Sequence, residues 1–168
     1  MIAPVPDVAH GQRVSARTVE ALRGRFRDAI LDHRTFRDEE TVQVEPSRLV
    51  EICRYLKDEP DLAYNFLTDI TATHWLDRDY AYEVAYLLYS LSNNSRVRIK
   101  VRLTGAPGSA SVRTVAGVWG AADWLEREEW DKVGVVFEGH PNLRRILLPE
   151  DWEGHPLRRD YPVEGVGA

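Results

Sequence analysis

Residues 65–75 read NFLTDITATHW, residues 80–91 YAYEVAYLLYSL and residues 96–103 RVRIKVRL. The first run is rich in β-branched and aromatic side chains and predicts a strand. The second is apolar on both faces, which predicts a strand at the centre of a sheet. The third alternates strictly. Val97, Ile99, Val101 and Leu103 point one way, and Arg96, Arg98, Lys100 and Arg102 point the other. Asp77, Arg78 and Asp79 supply a polar turn after the first run, and Ser92 to Ser95 (SNNS) supply turn chemistry after the second.

Upstream of this block the hydrophobic period is near four. Residues 1–14, with Pro4, Pro6 and Gly11, predict a flexible lead-in. Ser15 then precedes a helical pattern in which Val19, Leu22, Phe26 and Ile30 recur at spacings of three and four. Thr41 to Glu45 alternates like a short strand. Pro46 is suited to a helix's first turn and opens LVEICRYL, where Leu49, Ile52, Cys53 and Leu56 share a face; Pro60 closes it. Downstream, residues 104–111 (TGAPGSAS) predict a flexible connection, and residues 121–132 (AADWLEREEWDK) a helix. The resulting expectation is an α+β fold. Two to three helices pack on a mixed or antiparallel sheet of four to five strands over residues 15–138, followed by an extended C-terminal docking arm over residues 139–168.

The chain has 168 residues, 43% of them hydrophobic, enough to bury one sizeable core. No apolar run nears the roughly 20 residues that a membrane-spanning helix needs. The N-terminus lacks a basic start and an apolar stretch, so no secretory signal is read and a cytosolic-side location is expected. A net charge of −5 argues against nucleic acid as a partner. The basic row of residues 96–102 predicts a solvated strand face, paired with acids such as Asp77, Asp79 or Glu83. Cys53 is the single cysteine, so no internal disulfide, all-cysteine zinc site or self-contained iron–sulfur cluster can form. It is expected to be a buried, inert thiol. Neither GxGxxG nor a phosphate-binding loop ending GK[ST] is present.

Chemistry-capable side chains crowd into residues 126–162, and three readings compete. A metal would need His140, His155 and nearby carboxylates, but no compact ligand spacing is present and each histidine precedes a proline. An acid–base enzyme would use Glu126, Glu128, Asp131 and His140, with Glu126 and Glu129 coupled on one helix. A docking arm would explain the loss of periodicity after Gly139, the prolines Pro141, Pro149 and Pro156, and the anchors Leu143, Ile146, Leu147, Leu148, Trp152, Leu157 and Tyr161. Such a segment cannot satisfy its own backbone or bury Trp152 alone, so it must lie along a surface, its own or a partner's. In the isolated chain, residues from about 139 onward are expected to be less ordered or to borrow a neighbouring molecule's surface. Adjacent residues of an extended segment point to opposite sides. One of Arg144 and Arg145 can therefore serve the chain's own fold while the other reaches a partner, and Arg158 with Arg159 repeats the arrangement.

This run resembles the 30 kDa subunit family of respiratory complex I, the NADH–quinone oxidoreductase, called the C subunit in bacteria and the J subunit in chloroplasts. Glu126, Glu128, Asp131, Gly134, Phe137, Gly139 to Pro141, Leu143 to Leu147, Pro149 to Pro156 and Asp160 to Pro162 match its signature. FLTDITATHW and YEVAYLLYSL stand where the family has two central strands, and VWGAADWLERE where it has a turn and helix. Lys132, Val133, Gly120 and His74 depart from the pattern, with His74 standing where an Asp is frequent.

The resemblance implies a non-catalytic structural and assembly subunit of the hydrophilic arm of a membrane-attached NADH–quinone oxidoreductase. Such a subunit packs against the large quinone-site subunit, the D subunit, peripheral on the cytoplasmic side of the cell membrane. It would support electron transfer from NADH to quinone coupled to ion translocation. No cofactor is expected in this chain; flavin, iron–sulfur clusters and quinone are expected on partner subunits. The partner interface it implies comprises Glu126, Glu128, Asp131, His140, Arg144, Arg145, Trp152, His155, Arg158, Arg159, Asp160 and Tyr161. Related membrane-bound hydrogenases and ferredoxin-linked complexes carry similar chains.

Overall fold

The computed structural model describes residues 8–105 and 108–165, with side chains from Val14 onward. Helix α1 (Val8–Arg25) leads into a hairpin of β1 (Ile30–Phe36) and β2 (Glu39–Val44). Helix α2 (Leu49–Asp58) follows, and then the meander β3 (Phe66–His74), β4 (Tyr82–Ser90) and β5 (Ser95–Leu103). Strand β6 (Ser111–Arg113), helix α3 (Ala122–Val133) and strand β7 (Val136–Glu138) complete the regular structure.

The main sheet is mixed, in the order β1-β2-β5-β4-β3. The meander pairs antiparallel, whereas β2 lies parallel to β5, with Val42 opposite Ile99. The crossover through α2 and the β3–β4 hairpin makes that parallel neighbour possible. A second, two-stranded sheet pairs β6 with β7 in parallel, Val112 opposite Phe137.

Alternation decides which face of the main sheet is dry. Val97, Ile99, Val101 and Leu103 are buried on β5, as are Tyr82, Val84, Tyr86 and Leu88 on β4. They join Val19, Leu22 and Phe26 of α1 and Leu49, Ile52, Cys53 and Leu56 of α2 in one cluster. Each fully buried aliphatic or aromatic side chain there contributes about 1.5–3 kcal/mol. Cys53 lies inside this cluster, where burial pushes its thiol pKa far up, so it stays a protonated, inert thiol. Among the described residues the buried Tyr86 hydroxyl has no hydrogen-bond partner, whereas that of Tyr64 is paired. The Tyr64 hydroxyl lies 3.0 Å from both Thr18 Oγ1 and Ser95 Oγ, tying α1 to β5.

The basic row faces away from this core and is paired, in part as the sequence suggests. Lys100 reaches Glu83 at 2.6 Å and Arg102 reaches it at 3.5 Å. Arg98 and Arg96 instead lie 3.3 and 3.9 Å from Glu39, supplied by the parallel neighbour β2. Asp77 and Asp79 are exposed in their turn beyond the strand ends, and neither forms an ion pair among the described residues. Sequence pattern sees neighbours along the chain; a parallel neighbour is set by topology.

Three further differences have local causes. Helix α1 starts at Val8, inside the stretch 1–14 expected as a lead-in, so Ser15 lies within the helix; residues 1–7 lie outside the described residues. Ile30 opens β1 rather than closing the helix, because Phe26 to Ala29 turn the chain into the hairpin. The three-residue strands β6 and β7 are too short to show a period. Of the connection 104–111, residues 106 and 107 lie outside the described residues.

Candidate functional site

Helix α3 and the chain after Gly139 form one assembly, and Asp131 is its centre. Its side chain is fully buried near the helix C-terminus. Oδ2 accepts the backbone N–H groups of Ile146, Leu147 and Leu148 at 3.1, 2.9 and 3.0 Å, and Oδ1 accepts from Arg145 at 2.6 Å. One carboxylate thus does for an irregular segment what a neighbouring strand would do in a sheet. Burial works to raise its pKa. The N–H of Leu148, the Arg145 guanidinium and the N–H groups of Leu147 and Ile146 outweigh it and hold the carboxyl below its ordinary value.

Arg145 continues the lock. Its guanidinium also donates to the carbonyls of Trp152 at 2.7 Å and Gly154 at 3.1 Å, closing the loop between the LRRILL and EDWEGHP segments. His155 donates from Nδ1 to the Asp131 carbonyl at 2.9 Å, and the Leu157 N–H donates to the Lys132 carbonyl at 2.9 Å. These are carbonyls that a helix end leaves unpaired. The helix stops at Gly134, whose φ of +86° suits a glycine cap. A Cβ there would stand 2.6 Å from the His155 ring, so both backbone and packing require glycine.

The root and tip of the arm are clasped separately. At the root, the His140 ring accepts the Asn142 N–H at Nδ1 (3.0 Å) and donates from Nε2 to the Asp123 carbonyl (3.1 Å). Glu126 is fully buried beside it, 3.9 Å from Nε2, and accepts from the Thr114 hydroxyl and from the Val115 N–H at 2.7 Å. Burial pushes Glu126 up to about 7, even against those two bonds. At the tip, buried Arg158 donates to the Tyr82 hydroxyl and grips Asp160 two-pronged at 2.9 and 2.5 Å. His74 stacks on Tyr82 with ring centroids 4.9 Å apart and accepts the Arg159 N–H at 3.3 Å. Burial, then the Arg158 charge, lowers the His74 pKa, which keeps that nitrogen free to accept.

The surface along which the arm lies is therefore the chain's own α3 and the β3–β4 end. Inward- and outward-facing arginines separate cleanly. Arg145 and Arg158 turn in, while Arg144 and Arg159 are exposed. Trp152 is 40% exposed and, with exposed Leu147 and Leu157 and with Trp124 of α3, makes the apolar part of the outer surface. Tyr161 is half-buried against Gly154 and donates to the Glu153 carbonyl at 3.2 Å.

The four residues of the acid–base reading do not converge. Glu126 and His140 meet at the arm's root, Asp131 is locked at the other end of α3, and Glu128 lies on the solvated face, paired with Lys132 at 2.8 Å. Glu129 does not couple to Glu126; it accepts the Ala72 N–H at 2.7 Å and is raised to about 7 chiefly by burial. Among the described residues, no group of three or more His, Cys, Asp or Glu is placed to hold a metal ion.

One contributor escapes sequence reasoning. Arg127 is buried and donates to the carbonyls of Arg144 and Arg145, both at 3.2 Å, while its guanidinium lies over Trp124. Its signal is the four-residue spacing to Asp131, which puts both on one side of the helix.

Comparison with known proteins adds to this geometry. Residues 42–166 match the family model for the 30 kDa subunit of respiratory-chain NADH dehydrogenase. The chain is 49% identical over 152 residues to the C subunit of the NADH-quinone oxidoreductase of Geobacter metallireducens, covering 90% of this chain and 91% of that one. It is 47% identical over 149 residues to the protein of the same name in Geotalea uraniireducens, covering 89% and 88%. Among solved structures, the trypsin-resistant fragment of Nqo5 superposes with a TM-score of 0.63 at 28% identity, over 77% of this chain and 99% of the fragment. A chain of the membrane-bound sulfane sulfur reductase, an archaeal respiratory membrane complex, reaches a TM-score of 0.74 over 88% of this chain and 85% of its own. At 22% identity, that likeness speaks for the fold alone.

Proposed function

The chain belongs to the 30 kDa subunit family of respiratory-chain NADH dehydrogenase, and on that premise we propose that it is a non-catalytic subunit of the hydrophilic arm of an NADH–quinone oxidoreductase. In this reading it packs against the large quinone-site subunit and sits peripherally on the cytoplasmic side of the membrane. Flavin, iron–sulfur clusters and quinone reside on partner subunits. No helix among the described residues is long and apolar enough to cross a membrane, which is compatible with a peripheral position.

One observation carries the proposal. The arm's inward polar groups are spent on holding its own shape, so its outer surface is a preset one. Arg145, Asp131 and His155 bind backbone and each other, Arg158 binds Asp160 and the Tyr82 hydroxyl, and the exposed side chains include Trp152, Leu147, Leu157, Arg144 and Arg159. Tryptophan and arginine on a rigid, partly desolvated surface are what interface hot spots are made of. A surface shaped before binding also forgoes the ordering cost that a disordered tail would meet. Glu126 supports the non-catalytic role, because both its oxygens are engaged inside the fold.

The test is purification of the native complex through a tag on this chain, with a photoreactive residue in place of Trp152. The expected result is a cross-link from position 152 to the large quinone-site subunit and co-purification of both chains in equal amounts. Recovery of the chain alone, or a cross-link only to unrelated proteins, would overturn the proposal.

A further inference from the structure

We propose that the far end of the main sheet is a second docking surface, built for an extended acidic segment of another protein chain. A groove of about 350 Å³ opens there, between Glu39 of β2, Phe66 and Thr68 of β3, Leu87 and Tyr89 of β4, and Arg96 and Arg98 of β5. Phe66 is 49% exposed at its rim. Register extends the surface to β1. Glu39 pairs with Phe36, and Thr41, which accepts a bond from Arg98, pairs with Arg34. Phe36 and Arg34 therefore stand on the same face as the basic row, and Phe36 is 57% exposed.

Scattered exposed apolar side chains are ordinary; two phenylalanines, a leucine and a tyrosine sharing one face with guanidinium groups are not. The surface is also separate from the arm. The arm's tip is clasped at Tyr82, whereas the groove lies at Tyr89, seven residues along the same strand and roughly 23 Å away at 3.3 Å per residue.

Charge names the occupant. Arg96 and Arg98 share the single carboxylate of Glu39 at 3.9 and 3.3 Å. Arg34 and Arg37 rest against the Phe36 ring at 5.4 and 5.3 Å, and among the described residues neither has an ion-pair partner. A guanidinium pairs best with a carboxylate offered two-pronged. A segment with two or more carboxylates flanking a bulky apolar residue satisfies these arginines and fills the groove. The two phenylalanines lie on the opposite edge strands β1 and β3, four strand spacings or roughly 19 Å apart. About six extended residues span that width. This inference goes beyond the arm reading and does not depend on it.

The test places a photoreactive residue at position 66 in the native complex, with the position-152 cross-link measured in parallel. The expected product joins position 66 to a segment of another chain that carries at least two carboxylates. Arg96→Glu combined with Arg98→Glu should lower the position-66 yield about tenfold and leave the position-152 yield unchanged. If that pair prevents assembly, Arg96→Gln with Arg98→Gln replaces it, with a smaller fall in the same direction. A cross-link within this chain, to a second copy of it, or to a segment without carboxylates would overturn the proposal, as would a yield indifferent to the charge reversal. Loss of the position-152 product alone would count against the arm reading and leave this one standing.

Discussion

Asp131 holds four successive residues of the arm, Arg145 to Leu148. It binds three successive backbone N–H groups and one guanidinium from a position without solvent contact. Removing one partner of a buried, hydrogen-bonded charge pair strands the other, at a typical cost of about 3–5 kcal/mol. Asp131→Asn is therefore expected to lower the unfolding free energy of the isolated chain by about 3 kcal/mol in denaturant titration. The amides of residues 146–148 should exchange faster with it, because an amide oxygen facing them sets its NH2 against the Arg145 guanidinium, donor against donor. Acidification should reproduce part of the effect. The folded-state pKa lies below the ordinary 3.8, so the contribution is present above that value and is lost as the pH falls through the lowered one. An unchanged stability would mean that the arm is held elsewhere. None of this is legible in the run EREEWDK, where Asp131 is one acid among several. Its role follows from which acid the arm's backbone reaches, and no residue spacing encodes that.

At the scale of elements, the meander can be read from sequence and the edge strand β1 cannot. Strand β3 announces itself by its β-branched and aromatic side chains, β4 by being apolar on both faces and β5 by strict alternation. The helix α2 does so because Leu49, Ile52, Cys53 and Leu56 must share a side. Strand β1 has no such signal: it is an edge strand, mostly exposed, with an irregular register between Ile30 and Asp32. Helix α3 is visible as a helix, yet its most consequential acid after Asp131 is Glu126, whose burial depends on Thr114 and Val115 from the segment after β6. That pairing yields a pH prediction. Folding raises Glu126 from 4.5 to about 7, so its stabilising protonated form is fully present below pH 4.5 and is lost as the pH rises to about 7. The shift corresponds to about 3 kcal/mol. Glu126→Gln cannot ionise, so it should gain on the wild-type chain by about that much between pH 4.5 and 8 in paired unfolding curves. Parallel curves would show that Glu126 is not held protonated.

For the whole molecule, the arm and the domain behave as one body with an inside and an outside. Substituting an inward residue such as Arg145 should harm folding first and assembly as a consequence. Substituting an outward one such as Trp152 or Arg159 should leave the fold intact and weaken only association, because a side chain 40% exposed in the free chain loses little when removed there. The family signature is legible in residues 126–162 as a string of letters, but that string treats Arg144 and Arg145, or Arg158 and Arg159, alike; only the folded arm says which of each pair faces out. Whether that outward face serves assembly rather than chemistry is decided by native electrophoresis of complexes carrying Trp152→Ala with Arg159→Ala, stained for quinone reductase activity and normalised to the amount of assembled complex. Assembled complex should fall severalfold while activity per assembled complex stays near the wild-type level. Full assembly with abolished turnover would instead place these side chains in the reaction and refute a purely structural arm.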